Sequence, residues 1–288
     1  MILTRAEQVA AFLKQRRGLG IKDAKKRIPR GVRPRLIERS YGSALIAFMR
    51  KVEREFDPLM EALPGLLANA AREGRIDSVR LDAGEGKRVR ELVAEARARM
   101  TNTISGQVDD LAAKFAQETS AHGRIQLNRQ TRAALGADVF INDRGLATLM
   151  ERFVDSNVGL IKKLSDEQAG HIESAILRAV QDAKPYTELA GELQDRFGIG
   201  ERRAVLIARD QIGKFYGQTN AARHRELGIS KFIWRTANDE RVRDEHEALE
   251  GQVFSYDDPP SEGLPGEPIQ CRCYADPDFS DILGLLDS

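Results

Sequence analysis

Between about Tyr41 and Asn128 the apolar positions fall into a helical period. Leu45, Phe48, Met49, Val52 and Phe56 recur at three- and four-residue spacing, and Leu59, Leu63, Leu66 and Leu67 continue after Pro58. Val89, Leu92, Val93, Ala96, Met100, Ile104, Val108, Leu111 and Phe115 mark a further long amphipathic stretch. The Gly- and Asp-rich segment RIDSVRLDAGEGK between them reads as a loop. A second helical set begins near Asn142. Val158, Ile161, Leu164, Ile172, Ile176 and Ala179 share one stripe, which Pro185 ends. After it the pattern predicts a short helix with Thr187 as N-cap and Gly198 as stop, then another through Ala204, Ala208, Ile212, Phe215, Thr219 and Ala222 that Gly228 terminates.

At Ser230 the period changes from helical to alternating. KFIWRT, GQVFSY and CRCYA read as three short strands, with a small helix in NDERVRDEHEALEG between the first two and a Pro-rich loop, DDPPSEGLPGEPIQ, between the second and third. Trp234, Val242, Leu249, Val253 and Phe254 are its candidate core, small enough that the module needs a staple or a neighbour. The fold class is therefore mainly α, a helical body followed by a small α+β module with a short antiparallel sheet. Five regions follow: a basic arm over 1–40, a helical region over 41–140, a second helical part over 141–229, the module over 230–275 and an acidic tail over 276–288.

Charge changes this picture at the two ends. The chain has 288 residues and a formal net charge of +1, yet Met1 to Arg39 holds twelve Lys/Arg against three acidic residues, and Ala237 to Ser288 holds fourteen Asp/Glu against three Arg. Different partners for the two ends, or pairing of one copy's basic end with another copy's acidic end, would explain such asymmetry. The basic start has glycines, two prolines and no sustained apolar period, and reads as an extended or partly ordered arm. Lys14, Arg16, Arg17, Lys22, Lys25, Lys26, Arg27, Arg30, Arg33 and Arg35 are its candidates for contacting DNA or an acidic protein surface. In the tail, Phe279, Ile282, Leu285 and Leu286 are spaced as a docking stripe, with a frayed terminus as the alternative. No run reaches the ~20 apolar residues of a membrane span, and two cysteines exclude a disulfide scaffold.

Chemistry concentrates in the module. Cys271 and Cys273 would point to one face of a strand, and His246 on the small helix could join them, with Asp239, Asp244 and Glu267 as nearby oxygen donors. A structural zinc site is one expectation, and two packed thiols with a surface histidine the other. His122, His171 and His224 lie on polar helical stretches and read as surface residues. No nucleophile and base pair, phosphate loop or HExxH is present, so no enzyme is expected. The alternative is a metal-dependent enzyme acting on DNA, centred on His246, Cys271, Cys273 and Asp239.

The order Trp234, Thr236, Asp239, Arg243, His246, Gly251, a Pro-rich loop and Cys271-Arg272-Cys273 resembles the tailed-phage minor head, or head morphogenesis, proteins of the phage Mu F type. ELAGELQDRFGIGERRAVLIARDQ and AARHRELGISKFIW add to it, so that the resemblance covers about 150–275. Many such relatives carry Cys-x-x-Cys where this chain has Arg243 to His246, and a His where it has Glu267. Arg243, with Asp239 or Glu245, could hold the same loops by hydrogen bonds and charge pairs. Some relatives continue into a toxin-like enzyme domain, an activity not expected of a chain ending at Ser288. The resemblance implies a virion component inside the capsid near the portal vertex, made in the host cytoplasm and present in several copies. Its implied partners are the portal protein, the major capsid protein or scaffold, and genomic DNA.

Overall fold

A computed structural model describes residues 3–17, 28–73, 84–104, 107–137, 145–182 and 184–287. The helices are α1 (Arg5–Arg17), α2 (Arg35–Arg54), α3 (Asp57–Glu73), α4 (Gly84–Ile104), α5 (Gln107–Leu135), α6 (Leu146–Gln181) and α7 (Tyr186–Glu226). Strand β1 (Lys231–Arg235), helix α8 (Asp244–Glu247), strands β2 (Val253–Ser255) and β3 (Tyr274–Pro277) and helix α9 (Ser280–Asp287) follow. The chain is mainly α with a small three-stranded antiparallel sheet near its end, as the apolar periods predict. No helix among the described residues is long and apolar enough to cross a membrane.

Two compact units divide the chain. The first contains 39–112 and 155–208, and its regular elements among the described residues are all helices. Its core is the set of stripes read from the sequence: Tyr41, Leu45, Met49 and Val52 on α2, Leu59 and Leu63 on α3, Val89, Val93, Ala96 and Met100 on α4, and Leu164, Ile172 and Ile176 on α6. The Tyr41 hydroxyl donates to Asn157 Oδ1 at 2.9 Å, satisfying two fully buried polar groups. The predicted break at Gly198 is absent, because α7 is continuous from Tyr186 to Glu226. Thr187 accordingly sits inside its first turn. A helical glycine costs only ~1 kcal/mol, and here Leu193, Gly200, Ala204 and Ala208 keep one buried face. A Cβ on Gly200 would lie 2.4 Å from Gln168 Nε2, so the glycine permits close approach and ends nothing.

The second unit contains 1–38, 113–154 and 209–288. Its beginning is ordered: residues 5–17 are helix, opened by a capping box in which Glu7 N donates to Thr4 Oγ1 and Thr4 N to Glu7 Oε2. Of the stretch from Lys14 read as an extended or partly ordered arm, residues 18–27 lie outside the described residues, and its ends belong to α1 and α2. Val9, Ala10 and Leu13 pack with Leu127 and Leu135 of α5, Leu227, Ile229, and Phe279, Ile282 and Leu286 of the tail. The tail stripe is therefore covered by the chain's own first helix and is neither a free docking peptide nor a frayed end. Gly228, at φ +77°, closes α7, with Ile229 N donating to His224 O. A Cβ there would lie 2.3 Å from Ala6 N, so the same glycine lets α1 pass close by.

The sheet order is β2-β1-β3, with Phe232 opposite Phe254 and Pro277, and Trp234 opposite Ala275. Phe232 and Trp234 face inward onto Ala221 of α7, Tyr256, Cys271, Cys273 and Ala275, so the module leans on α7. Of the expected core, Trp234 is buried, Leu249 and Phe254 are partly so, and Val253 is exposed.

Candidate metal centre

Helix α8 is a single turn, and its position comes from the strand before it. Gly251, at φ +80°, donates its N–H to Trp234 O at 2.8 Å, and Trp234 N–H donates to Gln252 O at 2.8 Å. This pair of bonds folds the turn back over β1. His246 is thereby buried, only 1% exposed, with its ring edge-on to the Trp234 indole at 5.4 Å between centroids. The surface histidine of the alternative reading is excluded.

The cysteines do not lie on the third strand. That strand starts at Tyr274, and Cys271 and Cys273 occupy the turn entering it. The turn is tied down on several sides. Gln270, at φ +57°, donates its N–H to Asp210 Oδ1 of α7 at 2.8 Å; Arg33 donates to Cys271 O at 3.1 Å; Arg243 donates to Ile269 O at 2.6 Å. The preceding loop lies against α7 where two glycines stand four residues apart. A Cβ on Gly217 would meet Pro265 O at 2.4 Å, and one on Gly266 would meet Gly213 O at 2.8 Å. That close approach brings Gly266 N–H within 3.4 Å of Cys271 Sγ, and Cys273 N–H lies at the same distance.

The outcome is a buried cluster of His246, Cys271 and Cys273 whose ligand atoms all lie within 4.8 Å of one another. His246 Nδ1 is 3.6 Å from Cys271 Sγ and 3.4 Å from Cys273 Sγ. The thiols are electrostatically unequal. A hydrogen bond from Cys273, the two backbone N–H groups and the nearby His246 hold the Cys271 thiol well below its ordinary range, at about 5. The same Cys271 contact and burial push the Cys273 thiol up, while the nearness of the Trp234 indole favours its thiolate. His246 Nε2 and Trp234 Nε1 are buried without a hydrogen-bond partner, and Glu262 Oε2 stands 3.7 Å from that imidazole nitrogen.

The other predicted residues serve the frame. Asp239 lies outside the cluster; Arg272 points away from the cysteines and grips both its oxygens, and Arg35 approaches to 3.7 Å. The Arg272 hydrogen bond holds the Asp239 carboxyl below its usual range. Thr236 N–H donates to Glu250 Oε2 at 2.6 Å. Arg30 is 3.4 Å from Glu250 and Arg35 contacts Asp239, so part of the basic start meets the acidic end within one chain. Arg33 is buried, paired with Glu38 at 2.6 Å, and is withdrawn from any surface contact. Lys14 is exposed. The side chains of Arg16 and Arg17, and all of Lys22, Lys25, Lys26 and Arg27, lie outside the described residues.

Sequence reasoning passed over several organising residues. Asp276 is one: its Oδ1 accepts from Gly31 N–H and Gln130 Nε2, each at 2.8 Å, and its Oδ2 from Arg235 at 3.0 Å. The signal for the α7 contact was present as Gly213-x-x-x-Gly217.

One comparison with known proteins falls on the segment that holds this site. Residues 170–275 match the family described as Phage Mu protein F like protein. The match ends inside β3 and takes in all of α7, β1, α8, β2 and both cysteines. It bears out the resemblance read from Trp234 to Cys273 and relates the chain to the phage head morphogenesis proteins. An uncharacterized protein of Haemophilus influenzae is 29% identical over 173 residues, covering 59% of this chain and 39% of that protein. A protein of Enterococcus faecalis named NAD(+)--arginine ADP-ribosyltransferase EFV is 26% identical over 126 residues, covering 38% of this chain and 26% of that protein. The chain thus spans well under half the length of either relative. No solved structure gives a significant match.

Proposed function

We propose that this protein is a non-enzymatic structural component of a tailed-phage head, placed inside the capsid at the portal vertex, where it assists head assembly and the packaging or delivery of DNA. The observation that carries this reading is the family match at 170–275, which coincides with a signature whose residues all build one small frame. The exposed Lys14 and the basic residues that follow α1 supply the charge for a DNA or portal contact. The competing reading, a metal-dependent enzyme on DNA, needs Asp239 at the metal, and Arg272 holds that carboxylate away from the cluster. The test is fractionation of phage heads and head intermediates followed by immunoblotting. The protein is expected in portal-containing particles; its absence from both mature heads and portal-containing intermediates overturns the proposal.

A further inference from the structure

We propose that His246, Cys271 and Cys273 bind one Zn2+ through Nδ1 and two thiolates, and that this ion fastens α8 to the turn entering β3. The distances carry it. A tetrahedral zinc with Zn–S of about 2.3 Å and Zn–N of about 2.0–2.1 Å sets each nitrogen and sulfur about 3.6 Å apart. His246 Nδ1 stands 3.6 and 3.4 Å from the two sulfurs.

Hydrogen bonding alone does not account for that arrangement. Nδ1 carries either one lone pair or one proton, so it serves one sulfur, yet two are equally in reach. An ion serves all three atoms together. Two thiolates also neutralise Zn2+, so the buried cluster carries no net charge, whereas an isolated thiolate or imidazolium there would be costly. The surroundings are those of a ligating set: two backbone N–H groups directed at Cys271 Sγ, the partnerless Trp234 indole N–H beside Cys273, and Glu262 opposite the far imidazole nitrogen. A carboxylate in that position orients a metal-bound histidine and raises its basicity.

Sulfur and imidazole donors select zinc over magnesium or calcium. Among the described residues no further His, Cys, Asp or Glu joins the group, so the proposal rests on these three ligands. The ion links residues more than twenty positions apart in a module with a small apolar core, where a cross-link adds most to stability.

The test uses the full wild-type chain, purified without chelator and analysed for metal by mass spectrometry, then stripped and titrated with Co2+. The expected result is one zinc per chain and, with cobalt, a thiolate charge-transfer band with strong visible bands of four-coordinate geometry. Cys273→Ser should lose the charge-transfer intensity in part. Glu262→Gln, which keeps all three ligands, should weaken metal affinity by about 10- to 100-fold. A folded wild-type chain that purifies without zinc and gives no cobalt–thiolate band overturns the site. Unchanged affinity in Glu262→Gln overturns the part assigned to that carboxylate. Either failure leaves the head assignment standing, since that is read from particle composition.

Discussion

His224 looks in the sequence like His246, a histidine among charged neighbours on a helix, and both are buried to 1% exposure. What separates them is company. His224 Nδ1 is hydrogen-bonded to the Tyr256 hydroxyl at 2.5 Å with no cysteine near, and burial, aided by Arg223, lowers its pKa to about 3. In the unfolded chain it would titrate near ~6.5. Its folded-state pKa is depressed, so the unfolded chain binds the extra proton: the neutral-pH stability is whole above about pH 6.5 and is lost as pH falls toward 3. Denaturant unfolding of wild type should show a loss of about 2 kcal/mol from this group between about pH 7 and pH 5. His224→Gln should lack that component; equal pH slopes in the two proteins would refute it. The surface position expected for His224 failed because helical spacing on α7 does not reveal that Tyr256 arrives from beyond β2.

At the scale of elements, most helices were legible because their apolar residues repeat on one face and burial of that face decides where they sit. Ends were less legible. Gly198 and Gly228 have the same chemistry, yet only Gly228 adopts a positive φ and ends its helix. Helix α1 was missed although Thr4-Arg-Ala-Glu7 is a capping box, because its apolar patch of Val9, Ala10 and Leu13 is too short to register a period. The packing of the 263–271 loop on α7 rests on absent side chains, and it is testable as such. Gly217→Ala puts a methyl 2.4 Å from Pro265 O and should cost about 1–3 kcal/mol. Gly65→Ala, on α3 with nothing within 4 Å, should stabilise by up to ~1 kcal/mol. Urea denaturation reads both, and a Gly217→Ala protein as stable as wild type would show that the loop moves aside at no cost.

For the whole molecule the near-zero net charge conceals a basic start whose members have different fates. Arg33 is consumed in the frame, Arg30 and Arg35 face acidic residues of the same chain, and Lys14 remains outward. Removing residues 1–39 would therefore strip core as well as charge, so the proposed DNA interaction is better tested by neutralisation. Changing Lys14, Lys22, Lys25, Lys26 and Arg27 to Gln should weaken DNA binding at low salt. It should also flatten the dependence of log affinity on log salt by ~0.9 for each phosphate no longer neutralised; identical slopes would remove these side chains from the DNA interface. By itself the sequence determined the class of fold, the helical stripes, the alternation that buries Phe232 and Trp234, and the family signature, since each depends on residues close along the chain. Only the tertiary structure decided that the tail is covered by α1, that Arg272 turns from the cysteines to Asp239, and that His246 meets both sulfurs. Those outcomes depend on which distant surfaces fit together: a backbone approach at Gly213 and Gly217, and a turn folded over β1 at Gly251, set the distances that local spacing leaves open.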